Sequence, residues 1–550
     1  MLKKYWASCW VLLVSQGVFA QTMPSAGSQM QQLPVVPSLP SFAPRVVVTP
    51  SEARLAPSTQ AETFVVQSLN LTGAQVYTQA ELLKVAHFVP GQKLDLRALY
   101  AMADKITQHY RRGGFPVARA YLPAQEVRDG VVTMTVLEGH YGQVVLNNTS
   151  SLDSQVPRNL LSGLDPGDVI ALDPLEERLL LLSDVPGVQV RSTLVPGASV
   201  GLSDLMVEVK PGALVSGSVD ADNAGNRYTG ENRVGVTLNL NNPTGHGDLT
   251  SLRALTSGSG LRYARLSYQT LVGKGRVGVA YSDLAYKLGQ QFTAPNANGR
   301  ASITSLFGNY PLIRSRNANL SAGLSLDSKL FQDHSVATDK RVQVATASLA
   351  GDHRDTWGGG GLNSYSLAWS AGQLDIQTPD ARALDAATAH SDGHYNKLSF
   401  AASRLQQATQ TLSFLLALSG QVASKNLDAS EKMGLGGMYG VRAYPEGEAY
   451  ADEGYLLTLE ARQQLTWPPS ALGQVHVAAF IDAGEVKLNH SPWADGARRR
   501  HLSGAGLGLY WTQANSFSVK AFYARKLGSE DALSAPDKSG RFWIQAVKYF

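Results

Sequence analysis

The sequence predicts a transmembrane β-barrel of about sixteen antiparallel strands preceded by two small α/β modules of strand-helix-helix-strand-strand order. Three observations carry that expectation. After Pro211 apolar and polar residues alternate with period two and helical periodicity disappears. Before Pro211 a run of short strands and amphipathic helices occurs twice in succession. The chain stops on an alternating strand, 542–550, whose last residue is the aromatic Phe550.

Lys3 and Lys4 precede an apolar run over 5–19, and Val18-Phe19-Ala20 supplies small or apolar residues ahead of a cut after Ala20. This is the pattern of a secretory signal peptide, residues 1–20, and the run falls short of the roughly 20 apolar residues of a spanning helix. Cys9, the one cysteine among 550 residues, sits inside that leader. The exported chain therefore has no thiol, disulfide or thiolate metal site. No second long apolar run follows, which excludes a helical membrane protein but not a barrel, whose strands show lipid one residue in two. A balance of 48 Lys and Arg against 44 Asp and Glu gives no reason to expect nucleic acid.

Residues 21–60, rich in Pro, Ser and Gln, read as a linker. Within it 27–33 could start a short helix before Pro34 stops it. The first module occupies 61–139. Residues 64–71 are β-like, Thr78 can cap a helix through Ala86, and Leu96, Leu99, Tyr100, Ala103, Ile106 and Tyr110 mark one face of a second helix that Gly113-Gly114 ends. Strands at 117–122 and 131–137 follow. The second module, 140–211, repeats the order with a strand at 143–146, helices at 156–161 and 174–182, and strands at 188–194 and 205–209.

The barrel occupies 212–550. Val234, Val236, Leu238 and Leu240 alternate with Arg233, Gly235, Thr237 and Asn239, and Leu412, Phe414, Leu416 and Leu418 with Thr411, Ser413 and Ser419. Linkers alternate in length: 242–247, 406–409 and 512–515 are short, whereas 287–299, 372–393 and 422–452 are long. Short periplasmic turns and long external loops have this rhythm.

Along 475–482 the apolar face is Val475, Val477, Ala479 and Ile481, which turns His476, Ala478, Phe480 and Asp482 inward. A carboxylate on the lipid side would be costly, so the parity suits an interior charge. Arg442 lies in the Gly-rich loop Val441-Arg442-Ala443-Tyr444-Pro445, between the eleventh and twelfth expected strands, and Asp482 is on the thirteenth. A loop folded into the lumen could bring them together, and a guanidinium matches a carboxylate at two points as an ammonium does not. On alternation alone, an exposed Arg442 and a solvated Asp482 remain the alternative.

The tandem modules, the barrel, the loop Val441-Arg442-Ala443-Tyr444 and the strand motif Phe480-x-Asp482-x-Gly484 together resemble the outer-membrane transporters of two-partner secretion, over roughly 62–550. Asp222-Asn223-Ala224-Gly225 and the turn from Asn242 to Asp248 resemble that family's first strands. The resemblance implies that the modules are polypeptide-transport-associated (POTRA) domains, that Arg442 pairs with Asp482, and that Phe550 is the barrel's C-terminal recognition signal. Ala443 stands where the superfamily commonly has Gly, and 27–33 is the candidate for the family's plug helix.

Other motifs carry less. Gly197-Ala198-Ser199-Val200-Gly201 matches a hydrolase pattern without the helix that should follow it. The 11 His show no metal-ligand spacing, and no phosphate-binding loop occurs, so neither metal, cofactor nor catalytic residue is expected. Arg498-Arg499-Arg500-His501 reads as a pore mouth or solvated loop edge, with lipopolysaccharide phosphates as the alternative.

The expected protein is an outer-membrane translocator, not an enzyme, that exports a large partner of haemolysin, adhesin or contact-dependent toxin type. Its POTRA domains would meet the partner in the periplasm. Outer-membrane lipid and the barrel-assembly machinery are its other partners. An insertase of the same superfamily and a passive porin are the rival functions.

Overall fold

The computed structural model describes residues 23–34, 46–48 and 63–550, apart from Pro295, Pro468, Ser470, Ala471, Ala494 and Asp495. The expected leader, 1–20, lies outside the described residues. Two elements precede the modules: helix α1 (Ala26–Gln31) and strand β1 (Val46–Val48).

The first module departs from the expected order in two places. Residues 64–71 do not form one strand; the chain bends at Gln67, where the N–H groups of Gln67 and Ser68 both donate to Gly130 O at 2.7 and 3.3 Å. The halves, β2 (Phe64–Val66) and β3 (Ser68–Thr72), join different sheets. β2 pairs with β4 (Gln92–Leu94), an extra strand between helices α2 (Gln79–Ala86) and α3 (Leu96–Arg112). β3 pairs in parallel with β6 (Val131–Leu137), which also pairs with β5 (Arg119–Tyr121). Thr78 and Glu81 cap α2 reciprocally, since Thr78 Oγ1 accepts from Glu81 N and Glu81 Oε2 from Thr78 N. α3 buries Leu99, Ala103, Ile106 and Tyr110, which carry the module's core.

The second module contains β7 (His140–Asn148), α4 (Gln155–Leu161), α5 (Leu172–Ser183), β8 (Val188–Pro196) and β9 (Leu202–Pro211). Its sheet runs β1-β8-β9-β7, so part of the expected linker is a strand, parallel to β8. An edge strand leaves backbone donors and acceptors unpaired, and β1 supplies partners for those of β8. The Gly197–Gly201 segment is the hairpin connection of β8 and β9, closed by Gly197 N to Leu202 O at 3.0 Å; no nucleophile elbow forms. The modules abut closely. Leu172 N donates to Gly114 O at 2.7 Å, and Val117 packs into the second core beside Gly139, where a Cβ would lie 2.2 Å from Val117 Cγ2.

Sixteen antiparallel strands, β10 (Val215–Asp222) through β25 (Gly540–Tyr549), close into a barrel by pairing β10 with β25. Large apolar side chains such as Val234, Leu238, Leu324, Leu367 and Ile481 point outward, while charged and small residues fill the inner face. Phe550 extends the closing seam: its C=O accepts from Gly217 N at 2.9 Å and its N–H donates to Gly217 O at 3.1 Å. The second module sits beneath three neighbouring turns. Asp153 N bonds Gly245 O at 2.8 Å, Glu177 pairs with Lys274 at 2.5 Å, and Asp184 takes Arg314 at 2.7 and 2.8 Å.

Candidate functional site: the lumen loop and its wall

Residues 424–452 join strands β20 (Leu412–Ala423) and β21 (Glu453–Gln464) and fold into the lumen. The first limb is tied to one wall. Asp428 pairs with Lys340 at 2.6 Å, and Glu431 takes Lys329 at 2.6 Å and Lys397 at 2.8 Å. The tip then crosses to the opposite wall through tight turns: Gly440 N bonds Gly437 O, and Val441 N bonds Leu435 O at 2.7 Å. Gly437, at φ 102°, holds a conformation that side chains disfavour.

Val441, Arg442, Ala443, Tyr444 and Pro445 are all buried. Arg442 Nε donates to Asp482 Oδ2 and Nη2 to Oδ1, both at 2.8 Å, and Arg442 N reaches Oδ2 at 3.2 Å. Asp482 stands on β22 (Gln474–Lys487), where Ala478, Phe480 and Asp482 of the expected inward set are buried, His476 is half-buried, and Gly484 continues the buried face. Thr458 Oγ1 adds a further bond to Asp482 Oδ1 at 2.9 Å. The guanidinium carbon lies 3.3 Å from the centroid of the Phe480 ring and 5.0 Å from that of Phe522, so cation–π attraction supplements the fork. Gly484 leaves the space that Leu435 Cδ1 fills, 2.5 Å from where a Cβ would stand.

The sequence reading missed several partners. Arg442 Nη1 also donates to Glu460 Oε2 at 3.0 Å, and Glu460 in turn accepts from Arg462 and Tyr510 at 2.7 Å each. Trp543 Nε1 donates to Arg442 O at 2.7 Å, pinning the tip's backbone to the last strand. Alternation around Leu457 and Leu459 marks Glu460 as inward; its level with the loop tip is a matter of strand register. Arg500 corrects another expectation. It is no solvated edge but buried, pairing with Glu448 of the loop at 2.9 Å and with Glu530. Arg499 beside it is exposed and pairs with Glu485.

Helix α1 shares the lumen. Ser25 caps it, Ala26 N donates to Asp333 Oδ1 at 2.7 Å, and Arg233 Nη1 reaches Gln32 O at 2.8 Å. On the loop side Gln32 Nε2 bonds Tyr450 Oη at 2.6 Å, and a Cβ on Gly27 would lie 2.9 Å from Ser430 Cβ. Loop and helix thus lie against one another inside the barrel.

The family model described as haemolysin secretion/activation protein ShlB/FhaC/HecB matches residues 201–511, and the POTRA domain of ShlB type matches 64–139. The chain belongs to the haemolysin secretion/activation family. The heme/hemopexin transporter protein HuxB of Haemophilus influenzae (strain 86-028NP) is 29% identical over 98% of this chain and 97% of its own. Outer membrane transporter CdiB of Escherichia coli is 25% identical over 92% and 85%. The solved structure of CdiB from Escherichia coli shares the fold, with a TM-score of 0.70 at 22% identity over 92% of this chain and 94% of that one. As a haemolysin secretion/activation protein, this chain is an outer-membrane transporter of two-partner secretion. Its barrel lies in the outer membrane and its POTRA part in the periplasm, and it exports a partner protein.

Proposed function

We propose that the lumen loop holds this transporter closed at rest and that release of Arg442 from Asp482 opens it to cargo. One observation carries the reading: a two-point ion pair, buried against the barrel wall, fastens a loop that crosses the lumen. The cargo is a large, largely unfolded protein of haemolysin, adhesin or contact-dependent toxin type. Residues 1–20 are the leader, 140–211 form a second POTRA domain, and an extended cargo segment adds as a strand at a module's sheet edge. Phe550, held at the seam, is read by the barrel-assembly machinery, and the apolar outer face meets outer-membrane lipid. Transport proceeds without covalent chemistry, and purified protein should show no hydrolase activity.

Removing one member of a buried ion pair strands the other charge, at a cost on the order of 3–5 kcal/mol. R442A should therefore free the loop and alter both secretion and single-channel conductance while the barrel still assembles. D482A, which leaves Arg442 its contact with Glu460, should do the same to a smaller degree, and the double variant should add little to R442A. R442K should rescue poorly. Fully additive defects, or a silent D482A, would sink the reading.

A further inference from the structure

Glu448, on the returning limb of the lumen loop, is buried at the external end of the channel. Its carboxylate accepts from Arg500 Nη1 at 2.9 Å, from Leu533 N at 3.0 Å, and from both Ser534 N and Ser534 Oγ at 2.8 Å. Leu533 and Ser534 belong to the external loop 527–539, between β24 (Phe517–Lys526) and β25. The same loop is gripped elsewhere. Arg500 holds the Glu530 side chain and donates to Asp531 O at 2.7 Å, and Tyr444 Oη, at the lumen tip, reaches Glu530 O at 3.0 Å. Nothing in the Arg442 lock requires these contacts. They join two loops that the chain separates by four strands.

We infer that Glu448 is a positioning residue for export: it ties external loop 527–539 to the lumen loop, so that both leave the channel mouth as one lid, fastened inside by Arg442 and at the rim by Glu448. The chemistry suits a latch. One carboxylate offers both oxygens to four donors, and its replacement by an amide leaves a single acceptor oxygen and turns an NH2 toward N–H groups. Arg500 would keep Glu530, so E448Q orphans no buried cation and leaves the Arg442 contact untouched.

This inference rests on the reading of loop 424–452 as the channel's closure, and the test separates the two. Ser403 lines the lumen cavity that Arg442 also borders, so S403C in a C9A chain reports opening through the labelling rate by a membrane-impermeant maleimide added to intact cells. Heat-modifiable migration establishes that each barrel is folded. E448Q should raise the rate about tenfold, as loss of hydrogen bonds to a charged group implies. S534A, a milder cut that keeps the carboxylate, should raise it less, and E448Q with R442A more than either alone. If R442A speeds labelling but E448Q and S534A do not, the rim latch is wrong and the closure stands. If R442A also leaves labelling unchanged, the closure reading fails and the inference falls with it.

Discussion

Ala443 fits at the loop tip because residue 504 on the facing strand has no side chain. A Cβ on Gly504 would stand 2.4 Å from Ala443 Cβ, a distance no relaxed pair adopts. G504A should therefore push the tip off the wall, at about 1–3 kcal/mol for an overpacked contact, and A443G should restore it. Secretion by G504A, and its recovery in the double variant, measure this; a silent G504A would show the tip to be slack. In the first module, Tyr110 Oη donates to Glu138 Oε1 at 2.7 Å. Burial first, and the Glu138 carboxylate second, raise the Tyr110 phenol above its ordinary 10.0. Being raised in the folded state, it contributes stability that is whole below pH 10 and declines above it, as the unfolded chain ionises while the folded one does not. Limited proteolysis of the first module at rising pH should show that decline, flattened in Y110F. Inward faces such as that of Asp482 are written in alternation, but Glu460 and Trp543 reach Arg442, and Thr458 reaches Asp482, through register, which a linear pattern does not encode.

At the scale of elements, the periods separate cleanly: Leu99, Ala103, Ile106 and Tyr110 mark α3, and every second residue marks β11 (Arg233–Asn241). What escaped notice was short. β1 and β4 have three residues each and exist through pairing with β8 and β2, a tertiary cause without local pattern. The split at Gln67 has the same origin, since Gly130 lies far along the chain. Linker lengths also predict sidedness. Leu384, exposed on helix α6 (Pro379–Ala387), belongs to a long loop, and Thr409 to a short turn. In a C9A chain L384C should react with an impermeant maleimide on intact cells and T409C should not. Labelling of T409C in unbroken cells would invert the topology.

For the whole molecule, a closed barrel satisfies its own backbone groups and needs no help from the modules to persist in lipid. Deleting 62–138 should thus leave a heat-modifiable barrel in the membrane while abolishing capture of the partner. Normal secretion by the deletion variant would remove the first module from transport. The docking of the second module is partly exposed: the Lys274–Glu177 side chains are 28% and 33% accessible. Salt screens such pairs, so the attachment loosens as ionic strength rises.

The turns that carry this module belong to one side of the cylinder, while Arg442 and its partners belong to the other. Between them stands α1, whose ends touch Asp333 and Arg233 on the first side and whose flank meets Ser430 and Tyr450 of the loop. A helix of under two turns is then a second spoke, beside the loop's own limb, across a wheel whose rim would otherwise transmit strain only by bending. Pulling it out leaves the loop joined to that first side only through its own limb, where Asp428 and Glu431 hold Lys340 and Lys329.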